Sequence, residues 1–154
     1  MKIQAASIAD AEEISALIIE LSEPFYVSPS RTGAEPFLAS VSAEAQRSYL
    51  SASNFSYYVA RSQGGIAGVI ALRDNSHLFH LFVAKSCQGM RLSSQLWSLV
   101  KSKARQAGNP GEFTVNSSLN AVAVYEKFGF VPRGEIQKMH GISFQPMHLK
   151  SSSE

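Results

Sequence analysis

The chain has 154 residues and a mass of 16.7 kDa, the size of one ordinary domain. An apolar fraction of 45% and a charged fraction of 17% exclude a wholly disordered chain. The net charge of +2 comes from scattered Lys and Arg, so nucleic acid is not an expected partner, although the pI of about 8.8 suits a polyanionic small ligand. The single cysteine, Cys87, and the lack of a signal peptide indicate the reducing cytoplasm, and no apolar stretch is long enough for a membrane span.

The first half of the chain predicts a strand, two helices and a hairpin. Asp10 precedes an amphipathic pattern that reaches Ser22, and Asp10 with Glu13 is typical of a capping box. A polar stretch over residues 23–35 predicts a loop. The further elements predicted are a strand over residues 1–8, a helix over 42–51, and strands over 55–61 and 66–72 joined by a turn at Gly64 and Gly65.

The second half begins with a near-continuous apolar run at residues 77–83, which is typical of a buried central strand. A helix is predicted from Leu92 to the turn at residues 108–111. The remaining predictions are a strand over 113–115, a helix over 120–128, and strands over 130–138 and 142–149. This order favours an α/β or α+β domain over residues 1–150, with a mixed sheet covered on both faces, and a disordered tail at 151–154.

The junction between the strand at 77–83 and the following helix is a candidate anion site. The first turn of a helix presents unpaired N–H groups and the positive end of its dipole, a geometry that binds phosphate. Lys85 and Arg91 flank this loop and can add charge-assisted contacts. The alternative is that Ser93 and Ser94 are merely helix-start residues, as in many proteins without a ligand.

Two segments resemble the GNAT superfamily of N-acetyltransferases. Leu81-Phe82-Val83 with Gln88 and Leu96-Trp97 resembles the signature strand, loop and helix of that family. The segment from Thr114 to Phe130, which ends in Tyr-Glu-Lys-Phe-Gly-Phe, is similar to the strand, loop and helix that follow the signature. The resemblance covers the chain from about Phe55 to Leu149, and motif matches are hypotheses that need structural context.

The resemblance implies a mixed, mostly antiparallel central sheet of about seven strands, flanked by about four helices on both faces. It also implies an enzyme that transfers an acetyl group directly from acetyl-CoA to an amine of a small molecule or protein. Dimers through the terminal strands are frequent in the family, so a homodimer is one expectation. The four histidines lack acidic or cysteine partners at ligand spacing, so no metal is expected.

The cofactor-binding residues implied by the resemblance lie mainly in the signature loop. They are Leu81, Phe82, Val83, Gln88, Gly89, Met90, Arg91, Leu92, Ser93, Ser94, Asn116, Asn120 and Tyr125. Arg91 and Ser93 stand where the family has glycines, so the arginine must turn aside or contact a phosphate itself. This departure keeps open an alternative, a non-catalytic sensor of CoA or acyl-CoA, or an interaction domain with the same fold.

The candidate catalytic residues that the resemblance implies are Tyr125 and His80. A tyrosine with an ordinary pKa of about 10 holds its proton at neutral pH and can give it to a developing thiolate. A histidine with a pKa of about 6.5 can take a proton from the acceptor amine. The alternatives are a core aromatic for Tyr125 and a hydrogen-bonded core residue for His80. Strand alternation predicts that His77 faces the other side of the sheet from His80. The resemblance also implies that the backbone N–H near Val83 is the candidate donor to the thioester oxygen.

The acceptor-binding residues predicted by the resemblance are Glu23, Tyr26, Phe37 and His80. In the family the N-terminal loop covers the acceptor pocket, and acidic residues such as Glu23 and Glu35 would attract a cationic amine. The alternative is a solvated loop. His140 and His148 are further candidates for the acceptor pocket. Cys87 has no recognisable His–acid partners, so it is interpreted as a bystander.

Overall fold

The computed structural model describes residues 1–89 and 91–150. Met90 and the predicted tail at 151–154 lie outside the described residues. The α-helices are α1 Ala11–Leu21, α2 Glu35–Ser40, α3 Ala43–Ser51, α4 Leu92–Gln106 and α5 Val122–Lys127. The strands are β1 Lys2–Ala5, β2 Phe55–Ser62, β3 Gly65–Arg73, β4 His77–Val83, β5 Phe113–Ser118, β6 Val131–Pro132, β7 Gln137–Met139 and β8 Ile142–Leu149. None of the described helices has the length and apolar character needed to cross a membrane.

All described strands belong to one sheet with the order β1-β2-β3-β4-β5-β8-β6, and β7 also pairs with β8. The β4–β5 pair is parallel and every other pair is antiparallel. The prediction of a mixed, mostly antiparallel sheet is therefore confirmed. The described sheet has eight strands instead of about seven because the predicted strand at residues 130–138 is divided into β6 and β7. The chain turns between them, with Gly134 at φ 77°.

Helices cover both faces of the sheet, as predicted. On one face, α4 packs Leu96, Trp97 and Val100 against the central strands, and α5 adds Tyr125. On the other face, the apolar stripe of α1 meets residues of β2 and β3, and Ile14 is fully buried there. Each residue of β3 from Ala67 to Leu72 is buried, because this central strand faces helices on both sides.

Near the N-terminal helices one local prediction is wrong and one helix was not predicted. Asp10 does not cap α1 with Glu13. Its carboxylate instead accepts a hydrogen bond from the N–H of Ser7, 2.8 Å away, and pairs with Arg61. The carboxylate of Glu13 accepts from the N–H of Ile66 on β3 at 2.7 Å. Both side chains therefore tie α1 to the sheet. Helix α2 was not predicted from the sequence, although Pro36 stands in its first turn, where proline favours helix initiation.

Candidate active site

Strands β4 and β5 separate after only two residue pairs. His77 lies beside Thr114 and Leu78 beside Val115, and these two pairs are the whole described register of β4 with β5. On its other edge β4 carries a β-bulge, because Leu72 pairs with Leu78 but Ala71 pairs with His80. Phe79 is the extra residue, and such a bulge bends and twists its strand. The remainder of β4 and the end of β5 therefore border a gap in the middle of the sheet.

Backbone groups of β4 face this gap. The N–H of Ala84, just after β4, donates to the carbonyl of Ala67 on the β3 side at 2.8 Å. Because successive residues of a strand turn their amide groups to opposite edges, the N–H groups of Leu81 and Val83 lie on the edge toward β5. The carbonyl of Val83 accepts a hydrogen bond from the side-chain amide of Gln88 at 3.0 Å. The gap therefore offers an extended molecule the donors of a strand edge.

A cavity of about 450 Å³ lies where β4 runs into α4. We call it the loop cavity. Of the predicted cofactor-binding residues, it is lined by Leu81, Phe82, Val83, Gln88, Gly89, Arg91, Leu92, Ser93, Asn120 and Tyr125. Lys85 and Cys87 also line it, whereas Ser94 and Asn116 do not. The predicted loop residues thus come together around one space, with two cations and the N-terminus of α4 beside it.

The loop before α4 adopts a conformation that favours glycine. Arg91 is the residue that precedes α4, and it has φ 61° and ψ 17° in the left-handed region. Gly89 is also left-handed, with φ 85°. Residues that have a Cβ atom rarely adopt this backbone conformation. Arg91 therefore takes a backbone geometry suited to the glycine of the family signature, and its guanidinium group adds a positive charge that glycine lacks.

A second cavity of about 340 Å³ lies on the other side of the gap. We call it the aromatic cavity. Its aromatic lining residues are Phe25, Phe37, Tyr49, Phe79, Phe82, Tyr125 and Phe144. Arg73, His77, His80 and His140 also line it, and none of the described residues around it is an Asp or Glu. An apolar molecule of modest size is the chemically matched occupant.

Tyr125 lies where the two cavities meet. It lines both of them, together with Leu81 and Phe82 on β4. The side chain is 6% exposed and packs edge-to-face against Phe128 and Phe130. Burial raises the pKa of the Tyr125 hydroxyl above its ordinary value of 10.0. The hydroxyl is therefore protonated at neutral pH and can donate a proton at the boundary between the cavities.

His80 belongs to a buried polar network that the sequence did not reveal. Its Nε2 lies 3.5 Å from Nε2 of Gln46, a fully buried residue of α3. The hydroxyl of Tyr57 donates to Oε1 of the same amide at 2.8 Å, which turns the amide nitrogen of Gln46 toward His80. Burial lowers the pKa of His80 to about 3, against a smaller opposite effect of a hydrogen bond to the backbone of Phe79. The ring is therefore neutral and is a weak proton acceptor.

The expectation that His77 faces away from His80 is wrong. His77 pairs with Arg73 across β3 and β4, and both histidines line the aromatic cavity. The extra residue Phe79 shifts the alternation by one position, so a separation of three residues returns to the same face. Nδ1 of His77 is 2.8 Å from the hydroxyl of Thr114, and burial together with the charge of Arg73 lowers its pKa to about 4, with a smaller opposite effect of Asp74.

The residues predicted for acceptor binding do not all reach one space. Phe37 and His80 line the aromatic cavity, whereas Glu23 lines the loop cavity and forms an ion pair with Arg31. Tyr26 lines neither cavity; its ring packs edge-to-face against Phe37, with centroids 6.1 Å apart.

Further predicted candidates are also divided between the two spaces. Glu35 lines neither cavity. Asn116 and His140 line the aromatic cavity, whereas His148 lines neither. Among the described residues, no group of three or more His, Cys, Asp or Glu is arranged to hold a metal ion.

A family model described as an acetyltransferase (GNAT) domain matches residues 26–151. This chain belongs to the GNAT acetyltransferase family. No curated protein sequence matches it.

Solved structures of GNAT proteins share the fold at low sequence identity. A GCN5-related N-acetyltransferase from Rhodopseudomonas palustris has a TM-score of 0.79 and 20% identity, over 97% of this chain and 95% of that one. The PaiA N-acetyltransferase from Thermoplasma acidophilum, solved with coenzyme A, has a TM-score of 0.73 and 18% identity, over 98% and 100%. An aminoglycoside 6′-N-acetyltransferase, also complexed with coenzyme A, has a TM-score of 0.65 and 14% identity, over 96% of each chain.

Several site residues of this GNAT domain were missed by sequence reasoning. Gln46 and Tyr57 lie far from His80 along the chain, and no local pattern links them. Arg73 is the last residue of β3 and was not singled out from the sequence. The aromatic content of β2 was taken as a strand signal, although Tyr57 also supports the site. No local pattern marks Gln46, because its burial on α3 is apparent only in the folded structure.

Proposed function

We propose that the protein is an acetyl-CoA-dependent N-acetyltransferase that transfers the acetyl group directly to an amine of a small molecule or protein. The observation that carries this proposal is the common wall of the two cavities at Leu81, Phe82 and Tyr125. A thioester held along the loop cavity and an amine in the aromatic cavity would meet at this wall. Direct transfer needs only such a meeting point, because holding both reactants in place converts a bimolecular step into an effectively unimolecular one.

The α4 end of the loop cavity fits the phosphates of coenzyme A by charge and by backbone geometry, whereas Glu20 and Glu23 line the cavity from the end of α1 and the segment after it. The N-terminus of α4 supplies the N–H groups and the dipole, and Lys85 and Arg91 supply positive charge. The left-handed backbone of Arg91 supports close approach of the loop to a phosphate, as glycine does in the family. When bound, acetyl-CoA supplies an activated acyl group as a thioester. Asn120 and Ser93 are the uncharged polar side chains that we assign to the same binding site.

The edge of β4 is the proposed support for the pantetheine arm. The amides of Leu81 and Val83 face the gap, where an extended amide chain can add to the strand edge. One of these N–H groups would donate to the thioester oxygen, on which negative charge develops as the amine attacks. A backbone donor already aimed at that oxygen stabilises the developing charge.

Tyr125 is the proposed general acid. The amine nitrogen forms a bond to the carbonyl carbon, and the carbon–sulfur bond breaks. The Tyr125 O–H gives its proton to the leaving sulfur, and the tyrosinate regains a proton from the nitrogen, which loses one on becoming an amide. Burial raises the pKa of the Tyr125 hydroxyl, so the group holds its proton at neutral pH but is a weaker acid than an exposed tyrosine. The proposed role therefore depends on the position of Tyr125 at the wall that the two cavities share.

His80 as the general base stays a prediction, and its surroundings favour a different role. A ring with a pKa of about 3 gains little by taking a proton from an ammonium group. We propose that His80, held by Gln46, positions the wall of the aromatic cavity and that the amine enters in its neutral form. The pH profile of kcat/KM should then keep its shape in His80→Gln. If His80 were the general base, the same substitution would remove the acidic limb of the profile.

A thermal-shift titration tests the proposal at its first step. Acetyl-CoA at about 100 times its Kd should stabilise the protein by about 2.7 kcal/mol, a shift of several degrees in Tm, and ATP should do much less. Release of free thiol in the presence of amines then measures turnover. Binding of acetyl-CoA without turnover would favour the sensor alternative. No shift with acetyl-CoA or CoA would remove both the enzyme and the sensor readings.

The single free cysteine is consistent with a cytoplasmic location, which we also propose.

A further inference from the structure

The lining of the aromatic cavity is unsuited to a polycationic acceptor. Among its described lining residues there is no carboxylate, and the cation Arg73 lies at one end. Glu23, the acidic residue predicted to attract an amine, lines the other cavity and is paired with Arg31. A second or third ammonium group placed in this cavity would be repelled by Arg73 and would find no partner among these residues.

Arg73 is arranged to bind an anion. Its guanidinium carbon lies 5.6 Å from the centroid of the Phe79 ring, a stacked position on the cavity wall. The nearest carboxylate is that of Asp74, with Nε of Arg73 and Oδ2 of Asp74 3.8 Å apart and both side chains substantially exposed. An ion pair of that kind contributes little. The other oxygen of Asp74 accepts from Asn54 at 3.2 Å, outside the cavity. The guanidinium group therefore has donors left for a ligand.

The distance between Arg73 and the wall shared with the loop cavity sets the length of the acceptor. Arg73 pairs with His77 at the start of β4, and Leu81 at the shared wall is four residues further along β4. At about 3.3 Å per residue, shortened by the bulge, this backbone path is roughly 10–13 Å. The guanidinium group itself is nearer to the shared wall, because it lies over the ring of Phe79, two residues from Leu81. Aromatic side chains fill the walls between these two ends, among them Phe79 and Phe82.

We propose that the acceptor is an elongated primary amine with an apolar or aromatic body and an anionic group, a carboxylate above all, at the end remote from the amine. Arg73 binds the anion, the aromatic walls hold the body, and the amine reaches the wall beside Tyr125. A guanidinium group recognises a carboxylate through two parallel hydrogen bonds, which also orients the molecule along the cavity. This inference rests on the proposed N-acetyltransferase function and names its class of acceptor.

The test is a matched panel of acceptors assayed by thiol release with acetyl-CoA. The carboxylates are para-(aminomethyl)benzoate, para-(aminoethyl)benzoate and the longer aminomethyl-biphenyl carboxylate, and each is compared with its own carboxamide; spermidine represents polycations. We expect kcat/KM to be about tenfold or more higher for the carboxylate in the best-fitting pair, since a charge-assisted hydrogen bond is worth that much. The preference should vanish in Arg73→Gln and be reduced in Arg73→Lys, which keeps the charge but cannot form the two parallel hydrogen bonds. Arg105→Gln, on the exposed last turn of α4, should keep the preference of the wild type.

The outcomes separate this inference from the proposed function. Equal rates for carboxylates and carboxamides, or a preference for spermidine, would overturn the anionic acceptor while the acetyltransferase reading stands. Acetyl-CoA binding with no acetylation of any carboxylate would also overturn it. Absence of acetyl-CoA binding in the thermal-shift titration would instead remove the proposed function. A preference that persists in Arg73→Gln would show that another group binds the anion and would equally contradict the assignment.

Discussion

His77 and His80 lie on the same face of β4, although they are three positions apart and a regular strand would place them on opposite faces. The relationship arises from Phe79, the extra residue of the bulge, which lies directly beyond the last residue pair between β4 and β5. One irregularity in the strand therefore turns both rings into the aromatic cavity just where the sheet opens. Bulges are frequent beside active sites because they re-aim side chains in this way.

Replacing Tyr125 by phenylalanine should separate chemistry from binding. The ring packing would remain, but the proton donor would be lost, so kcat should fall by about 100-fold or more. The affinity for acetyl-CoA, measured by thermal shift or calorimetry, should change little because the hydroxyl is assigned to the leaving sulfur. The control is Tyr58→Phe, a tyrosine of β2 that lines neither cavity. An unchanged kcat in Tyr125→Phe would take the hydroxyl out of the mechanism.

Two substitutions at Arg91 should distinguish its charge from its backbone. Arg91→Ala removes the charge and keeps the left-handed strain, so CoA binding should weaken about tenfold. If the contact is to the 3′-phosphate, dephospho-CoA should weaken less. Arg91→Gly also removes the charge but relieves the strain, so it should be about 1 kcal/mol more stable than Arg91→Ala in urea unfolding. Equal stability of the two variants would contradict the strained conformation.

The Gln46–Tyr57 hydrogen bond should contribute measurably to stability. Gln46→Leu leaves the Tyr57 hydroxyl buried without its acceptor, so the free energy of unfolding should fall by about 1–3 kcal/mol. In Tyr57→Phe the hydroxyl is absent and the loss should be smaller. The double variant should be less destabilised than the two single effects added together. Strict additivity in urea unfolding would argue that the two side chains do not interact.

The pKa of His80 predicts how stability depends on pH. The group has a pKa of 6.5 when exposed and about 3 in the folded protein, so the unfolded chain binds the proton first as pH falls. The free energy of unfolding is therefore unaffected by protonation of His80 above about pH 6.5. It falls as pH decreases toward 3, by about 1.4 kcal/mol per pH unit, which amounts to about 2 kcal/mol by pH 5.

His80→Gln tests this assignment because glutamine cannot titrate. Its stability should decline less steeply than that of the wild type between neutral pH and about pH 5, measured by urea unfolding at each pH. His148→Gln is the comparison variant, since His148 is only partly buried and lines neither cavity. Parallel slopes for His80→Gln and the wild type would contradict the low pKa.

The sequence predicted those parts of the fold that local patterns determine. Helix α4 begins at Leu92 as expected, and a hairpin joins β2 to β3, with its turn at Gln63 and Gly64, one residue earlier than predicted. The loop cavity could also be predicted from the sequence, because most of its signature residues are neighbours along the chain. The aromatic cavity could not be predicted, since it gathers side chains from separate elements. The contact of Gln46 with His80 could not be predicted either, because 34 positions separate the two residues along the chain. The bulge at Phe79 escaped prediction because period-two alternation assumes a regular strand.

The short pairing of β4 with β5 also bears on hydrogen exchange. Amides of central strands are usually the slowest to exchange, because they open only when the whole domain unfolds. The N–H groups of Leu81 and Val83 are in the middle of the sheet but face a gap where a neighbouring strand would otherwise protect them. In the free protein they should exchange far faster than those of β3. A ligand that completes the sheet along this edge would slow them selectively, so the occupied gap would act as the missing part of a strand.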